Sequence, residues 1–215
     1  MSVESNWKQN VDISNYHFDW NRIEPGGFDY NWVGRFEGDW SKELEVVVRD
    51  SQPKTWRSRN KNQDDHQYEI EENDLVAAGM SKDTTILRKY YEVAPIFQKM
   101  VDHVGLADAE VIFHVQYPGE MLNLHVDKQY EYNEDESKTD RILIFLEDFQ
   151  AGQFFQMGTS FIQWRAGDMV FFDWKNIPHA SANAGWEPRP IMVVTGTITE
   201  KTKKLMFPNH EPIKV

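Results

Sequence analysis

The chain has 215 residues, a formal net charge of −12, a pI near 5.0 and no cysteine. This length is enough for one large domain with its own core. The absence of cysteine excludes disulfides, thiolate nucleophiles and iron–sulfur clusters, so any metal must bind to histidine or carboxylate side chains. The negative charge disfavours nucleic acid as a partner, and no apolar run approaches the roughly 20 residues of a membrane span. We therefore expect a soluble, cytoplasmic protein that binds neither nucleic acid nor membrane.

Residues 1–82 predict an aromatic-rich N-terminal extension that packs on a core domain. Five tryptophans lie between positions 7 and 56, whereas disordered segments are poor in aromatic residues. Within this extension, residues 43–48 contain three successive valines and predict a short strand.

Residues 83–108 predict a supporting helix. Apolar side chains recur at three- and four-residue steps from Ile86 to Val104, which is the spacing of one helix face. Pro95 should kink or split this helix, and Gly105 stands where a C-terminal cap is expected.

Residues 109–200 predict a core of short strands, followed by a C-terminal tail at 201–215. Runs of β-branched and aromatic residues alternate there with turn-forming residues. The runs lie at residues 110–117, 121–127, 141–147, 152–156, 159–164, 168–173, 178–183 and 189–199. Eight short strands at close spacing predict a mainly β fold, either a sandwich or a barrel. The double-stranded β-helix, a jelly roll of the cupin type, has eight strands and is the architecture that we expect.

Three residues in this core have the side chains and the order of a metal site. His125 and Asp127 alternate with apolar residues on the second predicted strand, so both would point to one face. His179 lies on the seventh strand, 52 positions after Asp127. Two imidazoles and one carboxylate on one face of Fe(II) leave three open positions, which suit a bidentate 2-oxo acid and O2. Taken singly, a His-x-Asp on a strand is more often structural, and the order of the residues along the strands is what favours a site.

Arg189 begins the eighth predicted strand, ten residues after His179. A guanidinium can bind a carboxylate through two parallel hydrogen bonds. We expect Arg189 to hold the far carboxylate of a dicarboxylic oxo acid beside the metal, although a surface arginine would have the same local sequence.

With these motifs, the core resembles the Fe(II)/2-oxoglutarate-dependent dioxygenase superfamily, and within it the prolyl-4-hydroxylase-like branch. The resemblance covers about residues 109–199. It is carried by Tyr117-Pro118-Gly119 leading to His125-Val126-Asp127, by the strands that begin at Arg141 and Gly152, and by the run from Ala166 into Pro178-His179.

The resemblance implies that His125, Asp127 and His179 bind Fe(II), that Arg189 holds the C5 carboxylate of 2-oxoglutarate, and that Tyr117 donates its hydroxyl to the same co-substrate. With O2, and with ascorbate as an optional reductant, such an enzyme hydroxylates a C–H bond and releases succinate and CO2. The prolyl-4-hydroxylase-like branch indicates a small-molecule or peptidyl substrate, namely a free amino acid or an amino-acid residue of a peptide. Many relatives have Ser or Thr two residues after the arginine, where this chain has Ile191, which leaves Tyr117 or Thr195 as the second carboxylate donor.

Two other interpretations stay open: a non-catalytic cupin that binds a small ligand, and a cupin metalloenzyme that does not use 2-oxoglutarate. Neither gives Arg189 a carboxylate to hold. Residues 128–140 form a long acidic connection from the metal strand, which is either a solvated loop or a lid over the substrate. The oligomeric state is left open.

Overall fold

The computed structural model describes residues 30–55, 85–125, 139–174, 177–205 and 213–214. Residues 1–29, the acidic connection as far as residue 138 and most of the C-terminal tail lie outside this part of the chain, as does Asp127. The predictions made for these residues are not tested by the structure and stay predictions. In the described part, no helix is long and apolar enough to cross a membrane.

The eight predicted core strands are all present, and they build two antiparallel sheets. They are β4 (Ala107–Gln116), β5 (Met121–His125), β6 (Thr139–Phe145), β7 (Gln153–Met157), β8 (Ser160–Phe161), β9 (Asp168–Phe171), β10 (His179–Asn183) and β11 (Arg189–Thr197). The small sheet has the order β5-β10-β7-β8, and the large sheet contains the consecutive strands β9-β6-β11-β4. The chain therefore crosses repeatedly between two facing four-stranded layers, which is the jelly-roll arrangement. The predicted fold class is confirmed.

Four further strands extend the large sheet to eight. They are β1 (Asn31–Glu37), β2 (Gln52–Thr55), β3 (Thr85–Tyr90) and β12 (Ile213–Lys214). The first pairs with β9, whereas β3 pairs with β4 and carries β2 on its other side. Part of the N-terminal extension is thus built into the same sheet as the core.

Two local predictions are wrong, and each fails for a physical reason. Residues 43–48 lie in helix α1 (Ser41–Asp50), not in a strand. Its buried Leu44 and Val47 pack three residues apart against the large sheet, and this burial outweighs the small strand preference of valine. Residues 85–90 are a strand, not the first half of a helix, because they pair with β4.

Helix α2 (Pro95–Val104) begins at the proline that was expected to kink or split it. Proline fits the first turn of a helix because its missing N–H needs no partner there, and it keeps the preceding residue extended. Gly105 ends α2 in a left-handed conformation, φ 72°, as predicted. A short third helix, α3 (Glu200–Leu205), packs beside α2.

The large sheet separates two hydrophobic cores. The outer core lies between this sheet and helices α1 and α2, and it includes Phe97, Phe113 and Met192. The inner core lies between the two sheets. It contains Leu143, Phe145, Phe155, Met157, Ile162, Trp164, Val170, Phe172, Trp174, Ile191 and Val193. Residues of the large sheet alternate between the two cores, and this alternation decides which polar side chains can face the jelly-roll interior.

Candidate functional site

Arg189 places a guanidinium in the interior between the two sheets. It is the first residue of β11, it is 3% exposed, and its Cα partner on β4 is Gln116. Its Cζ lies 5.1 Å from the ring centroid of Phe155 and 5.9 Å from that of Trp164, so aromatic faces form its walls. Trp164 in turn stacks on Phe145 at 4.3 Å. The cation therefore has an apolar, water-poor environment.

The guanidinium has more donors than partners among the described residues. Its Nη2 donates to Gln116 Oε1 at 2.6 Å. Its Nε and Nη1 are buried without a hydrogen-bond partner in that part of the chain. Burial lowers the pKa of Arg189 well below its ordinary value, to about 9, so the group still carries its charge at neutral pH. A buried cation with two unsatisfied donors is costly, and a carboxylate is the group that its geometry fits.

Gln116 connects this arginine to the small sheet. Because an arginine has no acceptor, the Gln116 oxygen must face it and the amide nitrogen must point away. That nitrogen donates to Ser181 Oγ on β10 at 3.0 Å. The Gln116 backbone carbonyl accepts from Asn183 Nδ2 at 2.8 Å, which ties the end of β4 to the end of β10. The side chain that orients Arg189 is therefore itself fixed from both sheets.

His179 lies on the same strand as Ser181, two residues away and buried. Its Nδ1 is 3.1 Å from the carbonyl oxygen of Ile177. A carbonyl can only accept, so in a neutral imidazole this bond selects the tautomer with hydrogen on Nδ1 and places the lone pair on Nε2. A backbone carbonyl on the second ring nitrogen is a common feature of metal-binding histidines. The ring also contacts the edge of Phe172, with centroids 5.0 Å apart.

The strand register brings the two predicted metal histidines to neighbouring backbone positions. His179 and His125 are Cα partners in the β10–β5 pair. The next pair, Ser181 with Leu122, is shifted by one residue, so strict alternation along β5 is interrupted between Leu122 and His125. Such bulges re-aim side chains and are frequent beside active sites. Within the described residues no three His, Asp or Glu side chains form a group, but that part of the chain omits Asp127 and the His125 side chain. The ligand set stays a prediction.

His179 and Arg189 are connected through two side chains of the interior. Alternate residues on a strand face the same side and are roughly 7 Å apart, so Ser181 is about one such step from His179. Ser181 contacts the glutamine that holds Arg189. The histidine and the arginine therefore face the same space between the two sheets.

The structure does not bring Tyr117 or Thr195 to this position, which corrects the expectation for both. Tyr117 faces the outer core, and its hydroxyl donates to the Val48 carbonyl of α1 at 2.9 Å. Thr195 lies six residues along β11 from Arg189, roughly 20 Å away at the usual rise, and accepts from Arg141 Nε at 3.1 Å. Neither can help Arg189 to bind a carboxylate.

Gln116 is a partner of Arg189 that the sequence analysis did not identify. The signal was present, since positions 114 and 116 of β4 share one face while 113, 115 and 117 share the other, and Phe113 and Val115 belong to the outer core. Alternation along β4 therefore separates Gln116 from Tyr117, and the position of the outer core assigns Gln116 to the interior and Tyr117 to the helices.

Comparisons with known proteins give only distant likenesses. No family model matches the chain, and no curated protein matches it.

Solved structures with similar backbones include a Cupin 2 conserved barrel domain protein from Salinispora arenicola, at 16% identity and a TM-score of 0.33 over 55% of this chain and 82% of that chain. They also include the non-haem alpha-ketoglutarate-dependent epimerase SnoN from nogalamycin biosynthesis, at 13% identity and a TM-score of 0.45 over 72% of this chain and 80% of that chain. The Ni complex of the non-haem monooxygenase ThoJ matches at 15% identity and a TM-score of 0.37 over 48% of this chain and 54% of that chain. These likenesses are too distant to carry an activity over.

Proposed function

We propose that the protein is a non-haem Fe(II)- and 2-oxoglutarate-dependent oxygenase that hydroxylates a C–H bond of a peptidyl or free amino acid. The observation that carries the proposal is the buried Arg189 guanidinium, with two donors unsatisfied among the described residues and a third bound to Gln116. A neutral sugar would leave the charge of this buried cation uncompensated, whereas a dicarboxylic co-substrate neutralises it. The choice of an amino acid as substrate rests on the prolyl-hydroxylase-like motifs alone.

His125, Asp127 and His179 would hold the iron, and the donor set suits it: two imidazoles and one carboxylate bind divalent first-row metals and leave open positions. The Nδ1 contact of His179 to the Ile177 carbonyl fits this role, because it orients the ring and keeps Nε2 as the ligating atom. When bound, the iron and its co-substrate would supply the oxidation, with decarboxylation of 2-oxoglutarate to succinate and CO2.

The other residues would bind and orient the co-substrate. Arg189 would hold the C5 carboxylate through one unsatisfied donor, Nε or Nη1, together with one Nη2 hydrogen, while Gln116 accepts the other Nη2 hydrogen and keeps the guanidinium plane fixed. Phe155 and Trp164 would exclude water around this ion pair, and a carboxylate–guanidinium contact is stronger where water is absent. These residues would hold the C5 end of the co-substrate in place before the substrate binds.

The test is release of succinate from 2-oxoglutarate by the purified protein with and without Fe(II). Under anaerobic conditions Fe(II) plus 2-oxoglutarate should also give a visible metal-to-ligand charge-transfer band. We expect His125→Ala, Asp127→Ala and His179→Ala to lose both signals, and His103→Gln, a histidine that packs on the outer core, to keep them.

Full metal affinity and turnover in the Asp127 and His179 variants would refute the ligand assignment. Binding of 2-oxoglutarate without any succinate release in the wild type would instead favour the non-catalytic cupin.

A further inference from the structure

The outward face of the small sheet exposes large apolar side chains. Phe161 is 68% exposed, and Phe154 and Met121 are 48% exposed each. Trp186, on the turn that follows β10, is 91% exposed. Among the described residues the only other large hydrophobic side chain exposed to this degree is Tyr91, which lies beside α2. Patches of this kind on a protein surface mark interaction sites more often than chance.

The strand register places large and small side chains next to each other on this face. Met121, Ala182 and Phe154 stand in one row across three strands, since Ala182 is the Cα partner of both other residues. A small side chain therefore lies between two large ones. In the neighbouring rows Ala180 pairs with Gln156, and Gln156 pairs with Phe161. A two-fold-related copy of the same face could place its large side chains over these alanines.

The absence of charge on the described part of this face also allows a second copy of the chain to bind there. None of the outward-facing positions of the small sheet that the structure describes is ionisable; they are Met121, Phe154, Gln156, Phe161, Ala180 and Ala182. Two molecules with a net charge of −12 repel each other, and an uncharged face is where they can approach at the lowest electrostatic cost. The same net charge disfavours an anionic membrane surface as the occupant.

The apolar area of the described face is at the low end of what a dimer needs. At 150–250 Å² for a fully exposed aromatic side chain, Phe154 and Phe161 present roughly 170–290 Å². Met121, Gln156 and the two alanines bring this to about half of the roughly 800 Å² per partner of a standard interface, which fits a weak, concentration-dependent dimer. We propose that two copies of the chain associate through the outward face of the small sheet in an isologous dimer. This proposal does not depend on the iron or on Arg189, because the face lies on the opposite side of the small sheet from the interior.

The first test is the molar mass in solution by analytical ultracentrifugation, from low micromolar to several hundred micromolar protein. The wild type should approach twice the 25.3 kDa of one chain. The double variant Phe154→Glu and Phe161→Glu should remain at the mass of one chain, because each copy would bring charges to an apolar contact. Tyr91→Glu is the matched control, and it should dimerise like the wild type. A monomeric wild type at all concentrations, or a double variant that still dimerises, would overturn the proposal.

The absence of cysteine allows a second test that does not depend on the folding of the double variant. Ala182→Cys, treated with a short bis-maleimide reagent, should give a covalent dimer on a denaturing gel. Ala109→Cys, a half-exposed position on β4 of the large sheet, should stay monomeric. Equal cross-linking of the two variants would show random collision and would contradict the assignment of this face.

Discussion

Arg189→Met separates a ligand-binding role of this arginine from a structural one. Methionine keeps a long apolar stem and removes the guanidinium. Burial lowers the pKa of Arg189 to about 9, which corresponds to roughly 5 kcal/mol of unfavourable burial, at about 1.4 kcal/mol per tenfold change. The substitution also leaves Gln116 Oε1 without its donor, which costs about 1–3 kcal/mol. The first effect is larger, so the free protein should become more stable by at least about 2 kcal/mol.

This gain should raise the melting temperature of the ligand-free protein by about 4–8 °C or more for a chain of this length. Binding of 2-oxoglutarate should change in the opposite direction. Loss of a buried charge-assisted contact costs about 2–5 kcal/mol, or roughly 30-fold to 4,000-fold in the dissociation constant. Calorimetric titration with Mn(II) in place of iron measures this without turnover, and metal affinity should be unchanged.

The matched control is Arg49→Met, since Arg49 is exposed on α1 and pairs only with its neighbour Asp50 among the described residues. It should alter neither the melting temperature nor the titration appreciably. A destabilised Arg189→Met with unchanged affinity for 2-oxoglutarate would refute the reasoning, because the arginine would then be part of the fold and the co-substrate would bind elsewhere.

Three further outcomes are expected. Gln116→Glu should place a carboxylate against Arg189, which raises the melting temperature of the free protein and weakens 2-oxoglutarate binding by about tenfold or more in the same titration. Gly167→Ala should lower the free energy of unfolding by more than about 2 kcal/mol in denaturant titrations. The φ of Gly167 is 85°, in the left-handed region, and an added Cβ would lie 2.1 Å from a backbone oxygen of β1. Gly119→Ala is the control: its φ is 86° with open space around it, so it should cost only about 1 kcal/mol. Burial, and secondly a nearby lysine, lower the pKa of His103 below 6.5. Just below pH 6.5 the unfolded chain therefore binds more protons than the folded protein. The free energy of unfolding should then fall as the pH drops through that window. His103→Leu should flatten this slope in unfolding curves measured at several pH values, and an unchanged slope would assign it to other groups.

The sequence by itself predicted a mainly β fold, because short β-branched runs separated by turn residues favour strands of a sandwich or barrel. The resemblance of its motifs then favoured the jelly roll among these architectures. It also predicted correctly that Gly105 ends α2, since a left-handed cap is a local requirement of the backbone. His179 and Arg189 were selected by their order along the strands, and both are buried in the described structure.

Only the tertiary structure decided what surrounds those residues. The valines of α1 and the apolar residues at 85–90 have ambiguous local patterns, and packing on the large sheet or pairing with β4 resolved them. Tyr117 and Gln116 are adjacent in sequence, so no motif distinguishes their roles. They differ because the alternation of β4 turns Tyr117 towards α1 and Gln116 towards Arg189, and that choice is set by which face of the sheet each of the two cores covers.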